Sequence, residues 1–299
     1  MHRLFRRMAT ATAAAAFAFL AAPGFAADPP KKLVLIAGTP SHPPGMHEFN
    51  AGVQLLAQCL KETKGLKVSV NLNGWPKDES VFDGAAGILI YADGGEGHPA
   101  VQKDRPALLG ALMKKGVGLM CGHYGVEVLK DKGGKEFQDW IGGYYENAWS
   151  CNPIWRPEFK EFPVHPIANG VKPFSAEDEW YFNMRFRPEM KGVTPILTAT
   201  PSDAVRNGPY VYPRGPYEHI QKAKGRAEHM MWAVERADGG RGVGFTGGHF
   251  HSNWKNDDYR KAVLNALLWI CKVDVPKAGV ESAVTDEEMK ANLDPKGKK

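Results

Sequence analysis

The sequence predicts a doubly wound α/β fold with a mostly parallel central sheet. Short, continuous apolar runs recur along the chain, as expected for strands that are buried on both faces of a parallel sheet. Glycine-rich or polar loops follow these runs, and segments with helical periodicity separate several of them. This alternation of strand, loop and helix is typical of doubly wound sheets, in which ligands bind beyond the carboxyl ends of the strands.

The predicted elements follow in this order. Strands are predicted at 33–37, 67–70, 87–92, 117–120, 180–184, 194–199, 229–235 and 242–246. Helices are predicted at 49–63, 106–115 and 256–272, and the last carries acidic residues in its first turn, where they favour the helix dipole. The aromatic stretch from Trp140 to Trp155 has no clean periodicity and predicts a long insertion. Residues 276–299 are polar and lysine-rich, which predicts a C-terminal tail with one frayed helical turn.

The first 26 residues resemble a secretory signal peptide. Three arginines precede a small apolar run from Ala9 to Ala22, and Pro23, Gly24 and Ala26 follow it, so cleavage is expected after Ala26. The run is shorter than the roughly 20 residues that a membrane-spanning helix needs. An uncleaved anchor is the alternative. The sequence therefore predicts a periplasmic or secreted protein with one α/β domain at 27–275.

Composition and charge exclude several classes of protein. The chain has 299 residues, of which 43% are hydrophobic and 24% charged, and this excludes disordered, collagen-like and coiled-coil chains. Its formal charge of +5 falls to +2 without the three signal arginines, so nucleic acid is not an expected partner. The chain contains no CxxC motif, which argues against a thiolate zinc site. An oxidising compartment permits disulfides among the four cysteines, and the sequence leaves their pairing open.

Histidines follow several predicted strands. His42 and His47 follow the first strand, His98 the third and His123 the fourth, whereas the TGGHFHSNW segment follows the last. Because the carboxyl ends of parallel strands meet at one edge, we expect imidazoles from distant segments to share a pocket. Imidazole titrates near neutral pH and is the commonest metal ligand, so such a group suits proton transfer or metal binding. The alternative is that each histidine serves only its own loop.

The TGGHFHSNW segment predicts a pair of metal ligands. In an extended segment, residues two apart point the same way, so the imidazoles of His249 and His251 are expected to face one divalent ion such as zinc. The glycine-rich segments lack the spacing that cradles phosphates, so a nucleotide is not expected.

Carboxylates and aromatic side chains complete the predicted site. Glu127 lies four residues after His123. The adjacent Asp178 and Glu179 point to opposite sides of an extended chain, so one of the two is expected to reach the pocket while the other is solvated. Either can serve as a general base or a metal ligand, and a solvated acidic turn is the alternative. The candidate substrate-binding residues are Tyr124, Trp180 and Trp254, since flat apolar faces suit sugar rings, although packing is the usual role of such residues.

Cys121 fails the test for a catalytic nucleophile. A nucleophile elbow needs small residues two positions before and after the nucleophile, and these positions hold Leu119 and His123. We therefore predict that Cys121 is a packing residue.

Four segments together resemble one known family. LVLIAGTPSHPPGMHEFNAG, GVGLMCGHYGVE, HPIANGVKPF with DEWYFNMRF, and GGRGVGFTGGHFHSNWKNDDYRKAVLNALLW are similar to segments of the ThuA-like, or trehalose-utilisation, family. The resemblance runs from about Lys32 to Cys271. It implies a flavodoxin-like, class I glutamine amidotransferase-like three-layer sandwich without the amidotransferase triad, and a role in processing 3-keto-glycosides made by partner dehydrogenases. The site residues that it implies are His42, His47, His123, Glu127, Asp178, Glu179, His249 and His251.

Two functions are compatible with the sequence. In the first, the protein is a carbohydrate-processing enzyme that uses histidine or carboxylate acid–base chemistry, assisted by a divalent metal. In the second, it is a non-catalytic carbohydrate-binding or scaffolding module that uses the same pocket. The expected partner in either case is a small carbohydrate, and the sequence leaves the oligomeric state open.

Overall fold

The computed structural model describes residues 29–296, so the predicted signal peptide lies outside the described residues. Within this range the strands are β1 (Lys31–Ala37), β2 (Leu66–Asn71), β3 (Ala85–Tyr91), β4 (Gly118–Gly122), β5 (Gly143–Tyr144), β6 (Ile154–Trp155), β7 (Glu158–Phe159), β8 (Phe174–Ser175), β9 (Asp178–Glu179), β10 (Arg185–Phe186), β11 (Val193–Ala199), β12 (Glu228–Glu235) and β13 (Arg241–Phe245). The α-helices are α1 (Phe49–Leu60), α2 (Arg105–Lys114), α3 (Gly134–Ile141), α4 (Asp203–Arg206), α5 (Glu218–Gln221), α6 (Asp257–Ile270) and α7 (Asp286–Lys290).

A seven-stranded sheet runs through the centre in the order β11-β12-β13-β4-β3-β1-β2. The five strands from β13 to β2 are parallel, in the flavodoxin-like order, and β12 and β11 extend the sheet as antiparallel strands. Ala37 pairs with Tyr91, Tyr91 with Gly122, and Gly122 with Phe245. The carboxyl ends of β1, β3, β4 and β13 are therefore level, and the loops that follow them leave from one edge. The predicted α/β fold is confirmed.

The central strands contain continuous apolar runs because helices cover both faces of the sheet. In β1, Leu33 and Leu35 belong to the core on the side of α1 and α6, whereas Val34 and Ile36 belong to the core on the side of α2 and α3. The side chain of Asn256 accepts hydrogen bonds from two backbone N–H groups and so fixes the start of α6. This helix packs under β3, β4 and β13.

The predicted strand at 180–184 is wrong. In the structure, β9 ends at Glu179 and pairs with the two-residue strand β6, and Phe182 makes one isolated bridge with Cys151. The segment is apolar because it is buried between loops. The helix α3 was not predicted, since it is only eight residues long and glycines stand at both of its ends.

The C-terminal segment 276–296, named here the C-terminal strap, packs against the body of the molecule. Its helix α7 begins with a capping box between Thr285 and Glu288. Beyond the helix, the backbone N–H of Asp294 donates to Glu48 Oε2 at 2.7 Å, and Lys296 Nζ lies 3.3 Å from Glu48 Oε1. Glu48 is buried and precedes α1, so the strap is fixed to the loop that joins β1 to this helix. The sequence predicted the helical turn but not these contacts.

Among the described residues, no helix has both the length and the apolar character needed to cross a bilayer. All four cysteines lie within that range, and each is a free thiol.

Candidate active site at the carboxyl edge of the sheet

Three histidines and one glutamate form a buried cluster at the carboxyl edge of the sheet. His47 lies in the loop after β1, His123 directly follows β4, His249 lies in the loop after β13, and Glu179 ends β9. One nitrogen or oxygen atom from each side chain lies within 4.8 Å of the others, and all four residues are buried. The level ends of the parallel strands therefore bring together residues that are far apart in sequence.

The facing atoms of this cluster are close to one another. His47 Nε2 lies 3.0 Å from both His123 Nε2 and His249 Nδ1, and the latter two nitrogens are 3.3 Å apart. Glu179 Oε2 lies 2.7 Å from His249 Nδ1 and 3.5 Å from His123 Nε2. Four potential ligand atoms thus surround one point.

Hydrogen bonds behind the cluster fix the orientation of its rings. His47 Nδ1–H donates to Asp93 Oδ1 at 2.8 Å, and His123 Nδ1–H donates to the carbonyl oxygen of Thr246 at 2.9 Å. Because Nδ1 of His47 carries the proton, this neutral ring presents the lone pair of Nε2 to His123 Nε2 at 3.0 Å. Burial would lower the pKa of His123, but the Glu179 carboxylate raises it, so a proton or a cation is accommodated between the two nitrogens.

The carboxylate of Glu179 is held in its charged form. Burial alone would raise its pKa, but hydrogen bonds and positive charge from His123 and His249 lower the pKa to about 2. Asn152 Nδ2 donates to Oε1 at 2.8 Å, which leaves Oε2 facing the imidazoles. The pKa of His47 is lowered strongly, first by burial and then by His123. The site therefore combines a fixed negative charge with neutral imidazole.

The backbone at this edge is strained. His42, His47 and His123 have φ angles of 60°, 47° and 51°, in the left-handed region that residues other than glycine seldom adopt. Such conformations cluster at functional sites, where the surrounding structure compensates for their cost. The sequence pattern did not predict these left-handed backbone conformations.

The donor set suits a divalent metal such as zinc. A tetrahedral zinc ion with ligands at about 2.0–2.1 Å requires ligand atoms roughly 3.3 Å apart. Five of the six separations between these atoms are 2.7–3.5 Å, around this value, and the sixth, between His47 and Glu179, is within 4.8 Å. The Asp93–His47 hydrogen bond is also the contact that typically orients a metal-binding histidine.

Three further predicted residues border the cluster. The ring of His42 stacks on that of His47 with centroids 3.6 Å apart, and its side chain is 37% exposed. The ring of Tyr124 lies 6.2 Å from that of His47 and is half-buried. Burial, followed by the charge of Glu179, raises the pKa of the buried Glu127 to about 7.

Asp178 reaches the loop after β13 rather than the cluster. Its carboxylate accepts hydrogen bonds from the backbone N–H groups of Gly248, His249 and Phe250 and from the hydroxyl of Tyr259. Of the two adjacent carboxylates, only Glu179 enters the cluster. The expectation that the other carboxylate is solvated is wrong, because Asp178 is fully buried and hydrogen-bonded. Asp178 positions the loop that carries His249.

His251 lies outside the cluster, so the expectation that it faces the same ion as His249 is corrected. A 3₁₀ helix begins at His251, and the extended alternation on which that expectation rested ends there. Its Nε2 lies 3.1 Å from the carbonyl oxygen of Met289 in the C-terminal strap.

Trp180 and Trp254 are core residues, so the structure also corrects their placement along a substrate pocket. Trp180 is fully buried and packs against Phe245 and Tyr259. Trp254 is 2% exposed and packs between Tyr91 and Tyr259. Neither indole offers a free face to a sugar.

Two residues that support the site were missed. Asp93 lies two residues after the end of β3, in the segment DGGEGHP, so the strand-end argument that selected the histidines applied to it equally. Asn152 lies in the irregular aromatic insertion, and no sequence signal marked it.

A family model described as "ThuA: Trehalose utilisation" matches residues 34–270, which include every residue of the cluster. The chain belongs to the ThuA family. Among solved structures, a ThuA-like protein from Bacteroides uniformis shares 16% sequence identity at a TM-score of 0.57, covering 87% of this chain and 98% of its own. A ThuA-like protein from Parabacteroides merdae shares 16% identity at a TM-score of 0.52, covering 86% of this chain and 94% of its own. At these identities the likeness shows the ThuA fold alone. A search of curated proteins gives no match.

We expect Cys121→Ala to leave this ThuA site intact. The thiol lies in β4 within the core, and burial raises its pKa well above the usual value, so it is not a ready nucleophile. The substitution should lower the free energy of unfolding by about 1 kcal/mol, measured by urea denaturation, without changing metal content or turnover. A C121A protein that folds but lacks activity would contradict this prediction and would indicate that the Cys121 thiol is the nucleophile.

Proposed function

We propose that this ThuA protein is an exported carbohydrate-processing enzyme that acts on 3-keto disaccharides or related glycosides. The buried cluster of three histidines and a carboxylate carries the proposal, because its donors are oriented from behind by hydrogen bonds to Asp93, Thr246 and Asn152. The family description supports a carbohydrate as substrate. The chemistry is proton abstraction next to a ketone, or hydrolysis.

A divalent metal such as zinc would be held by His47, His123, His249 and Glu179. When bound, it would supply Lewis-acid stabilisation of negative charge that develops on a substrate oxygen. Asp93 holds His47 in the tautomer that presents Nε2 to this point. The protein therefore supplies a preformed set of donors that needs little rearrangement.

Two groups beside the cluster can move protons. Burial lowers the pKa of His42, although Asp93 opposes the shift, so its imidazole is neutral at pH 7 and can accept a proton. The carboxyl group of Glu127, with a pKa of about 7, can hold or release a proton near neutral pH. The two residues provide a candidate base and a candidate acid.

The test is turnover of 3-keto-trehalose by the purified protein, measured together with its metal content. Wild-type protein should convert the substrate, and Glu127→Gln and His42→Ala should each lower kcat by about 10²–10⁴-fold while retaining the metal. Val164→Ala, which alters an exposed residue in the loop before His165, is the matched control. Saccharide binding without turnover would instead make the protein a non-catalytic binding module.

Glu127 should also make stability depend on pH. Its pKa is raised from 4.5 to about 7, so between these values the folded state binds more protons than the unfolded state. The contribution of Glu127 to the free energy of unfolding should therefore fall as the pH rises through this window, by up to about 3 kcal/mol. Buried histidines with lowered pKa values act in the opposite direction in both proteins, so the difference between wild type and Glu127→Gln isolates this contribution. Urea denaturation at pH 5 and pH 8 should show that wild type loses stability relative to Glu127→Gln as the pH rises. The same pH dependence in the two proteins would contradict the assignment.

Export should shorten the precursor by about 26 residues, because the small residues before position 27 form a cleavage site. Intact-mass spectrometry of protein from the native envelope would detect the mature form, with Ala27 as its first residue. Recovery of chains that begin at Met1, or only of cytoplasmic protein, would reject this part of the proposal.

A further inference from the structure

A cavity of about 280 Å³ lies at the carboxyl edge of the sheet, next to the histidine cluster. The loops that follow three strands form its walls, with Thr39 after β1, Asn73 and Trp75 after β2, and Asp93 after β3. In the strand order β2-β1-β3 the direction of the connections reverses at β1, and open α/β sheets bind ligands beyond the strand ends at such a point. The topology therefore favours a ligand in this cavity.

Asp93 joins the cavity to the cluster. Its carboxylate lines the cavity, its side chain is 35% exposed, and its Oδ1 accepts the hydrogen bond from His47 Nδ1 at 2.8 Å. Nδ1 of His42 lies 3.8 Å from the same oxygen, and the ring of His42 stacks on that of His47. A ligand in the cavity that contacts Asp93 is thus separated from a cluster imidazole by one side chain.

Backbone hydrogen bonds hold the walls of the cavity together. The N–H of Gly38 donates to the carbonyl oxygen of Tyr91, and the N–H of Gly74 donates to that of Ala37, each at 2.8 Å. A Cβ atom at Gly38 would lie only 2.8 Å from Cα of Ala92, so glycine permits the loops after β1 and β3 to approach this closely. The cavity is therefore preformed, and little of its wall has to be ordered when a ligand binds.

The polar groups of the cavity suit a neutral ligand with several hydroxyl groups. The guanidinium of Arg105 lies 4.9 Å from the centre of the Trp75 ring, and its Nη1 donates to the carbonyl oxygen of Pro99 at 3.0 Å. This is its only hydrogen bond within residues 29–296, so further donors are available to a ligand. Asp93 would repel an anion and Arg105 would repel a cation, whereas hydroxyl groups can donate to the carboxylate and accept from the guanidinium.

We infer that this cavity is a saccharide subsite, which holds one ring of the substrate while the adjoining ring reacts at the cluster. That the ligand is a saccharide with two rings rests on the proposed function. Pockets for drug-sized ligands enclose about 300–1,000 Å³, so a cavity of about 280 Å³ has room for one ring and not for a whole disaccharide. The half-buried indole of Trp75 supplies an apolar surface for the ring, and Arg105 and Asp93 supply hydrogen bonds to its hydroxyl groups.

Arg105 and Trp75 act in substrate binding, away from the reacting atoms. They contact the ring that does not react, so they stabilise the bound substrate and the transition state equally. Their loss should therefore raise KM and leave kcat nearly unchanged. Asp93 differs from both, because its Oδ1 also fixes the tautomer of His47, so its replacement should impair saccharide binding and metal binding together.

The test is the affinity of the purified, metal-loaded protein for unmodified trehalose, measured by isothermal titration calorimetry. Arg105→Ala should weaken binding at least about tenfold, because hydrogen bonds from a charged group are lost. Arg105→Lys keeps the charge but not the planar fork, so its loss should be smaller. Trp75→Ala should weaken binding by about threefold to tenfold.

Arg241→Ala is the matched control. The guanidinium of Arg241 lies 4.8 Å from the ring of Trp269 and donates to the carbonyl oxygen of that residue at 2.9 Å, so the same kind of arginine–tryptophan contact is removed. Arg241 begins β13 and therefore lies at the opposite edge of the sheet from the cavity. This variant should bind trehalose as wild type does.

The outcomes separate this inference from the proposed function. If trehalose binds with these losses but wild type does not convert 3-keto-trehalose, the enzymatic proposal fails and the subsite stands. If wild type converts 3-keto-trehalose but Arg105→Ala matches Arg241→Ala in Kd and KM, the subsite is rejected and the enzymatic proposal stands. The absence of binding to wild type at millimolar trehalose also rejects the subsite. Circular dichroism shows whether each variant folds, and Arg105→Lys decides by the same comparison if Arg105→Ala does not.

Discussion

Combining His249→Ala with Glu179→Gln should abolish the binding of a divalent metal while the protein remains folded. Two of the four donors at the cluster disappear, and only the imidazoles of His47 and His123 remain. Removing a residue that merely orients a ligand already costs about 10–100-fold in affinity, so loss of two ligands should exceed about 100-fold. Metal analysis after dialysis should give about one equivalent for wild type and none for the variant.

His251→Ala is the matched control for this experiment. It removes an imidazole from the same HFH segment, but its ring contacts Met289 and not the cluster. This variant should keep its metal. Asp93→Asn should give an intermediate loss of about 10–100-fold, because it disturbs only the tautomer of His47. A double variant that retains one equivalent, or a His251→Ala protein that loses it, would refute the assigned ligand set.

Asp178→Ala should be the most destabilising single change at this edge of the sheet. The carboxylate is fully buried and accepts four hydrogen bonds from the loop after β13 and from Tyr259. Removal of the carboxylate leaves buried hydrogen-bond donors unpaired. Each donor that finds no other partner lowers the free energy of unfolding by about 1–3 kcal/mol. We expect the free energy of unfolding, measured by urea denaturation, to fall by at least about 3 kcal/mol.

Asp139→Ala provides the comparison for Asp178. The side chain of Asp139 is 55% exposed, and within residues 29–296 its carboxylate pairs only with the exposed Lys135, so its loss should change stability by less than about 0.5 kcal/mol. Asp178→Asn should also be harmful, because its NH₂ group would face the N–H of Gly248 or the hydroxyl of Tyr259. An Asp178→Ala protein within about 1 kcal/mol of wild type would show that this loop is held by other contacts.

The central strands of the parallel part of the sheet were predictable because both of their faces are buried. They contain continuous apolar runs, as at 33–37 in β1 and 85–91 in β3, and such a run does not depend on the conformation of the surrounding loops. The segment at 180–184 has the same composition for a different reason, since loops bury it instead of neighbouring strands. An apolar composition indicates that a segment is buried, but it does not show whether a sheet or loops bury it.

The site was predictable to the extent that it depends on topology. His47, His123 and His249 follow strands whose ends the fold aligns, so position along the chain sufficed to bring them together. The local backbone conformation at the site could not be predicted from the order of the strands. A 3₁₀ helix turns His251 away from the cluster. The hydrogen-bond acceptor that fixes each ring comes from a different segment, the Asp93 carboxylate for His47 and the Thr246 carbonyl for His123.

The contact between the C-terminal strap and Glu48 can form only late in the synthesis of the chain. Residues 48 and 294 are 246 positions apart, so the ribosome releases every cluster residue before it makes the groups that pair with this carboxylate. A chain cut short before Asp294 would contain all four cluster side chains and still bury Glu48, next to His47, without two of its partners. Proteolytic removal of the strap would therefore leave the buried Glu48 without these partners beside His47, and so would act on the cluster from a segment distant in sequence.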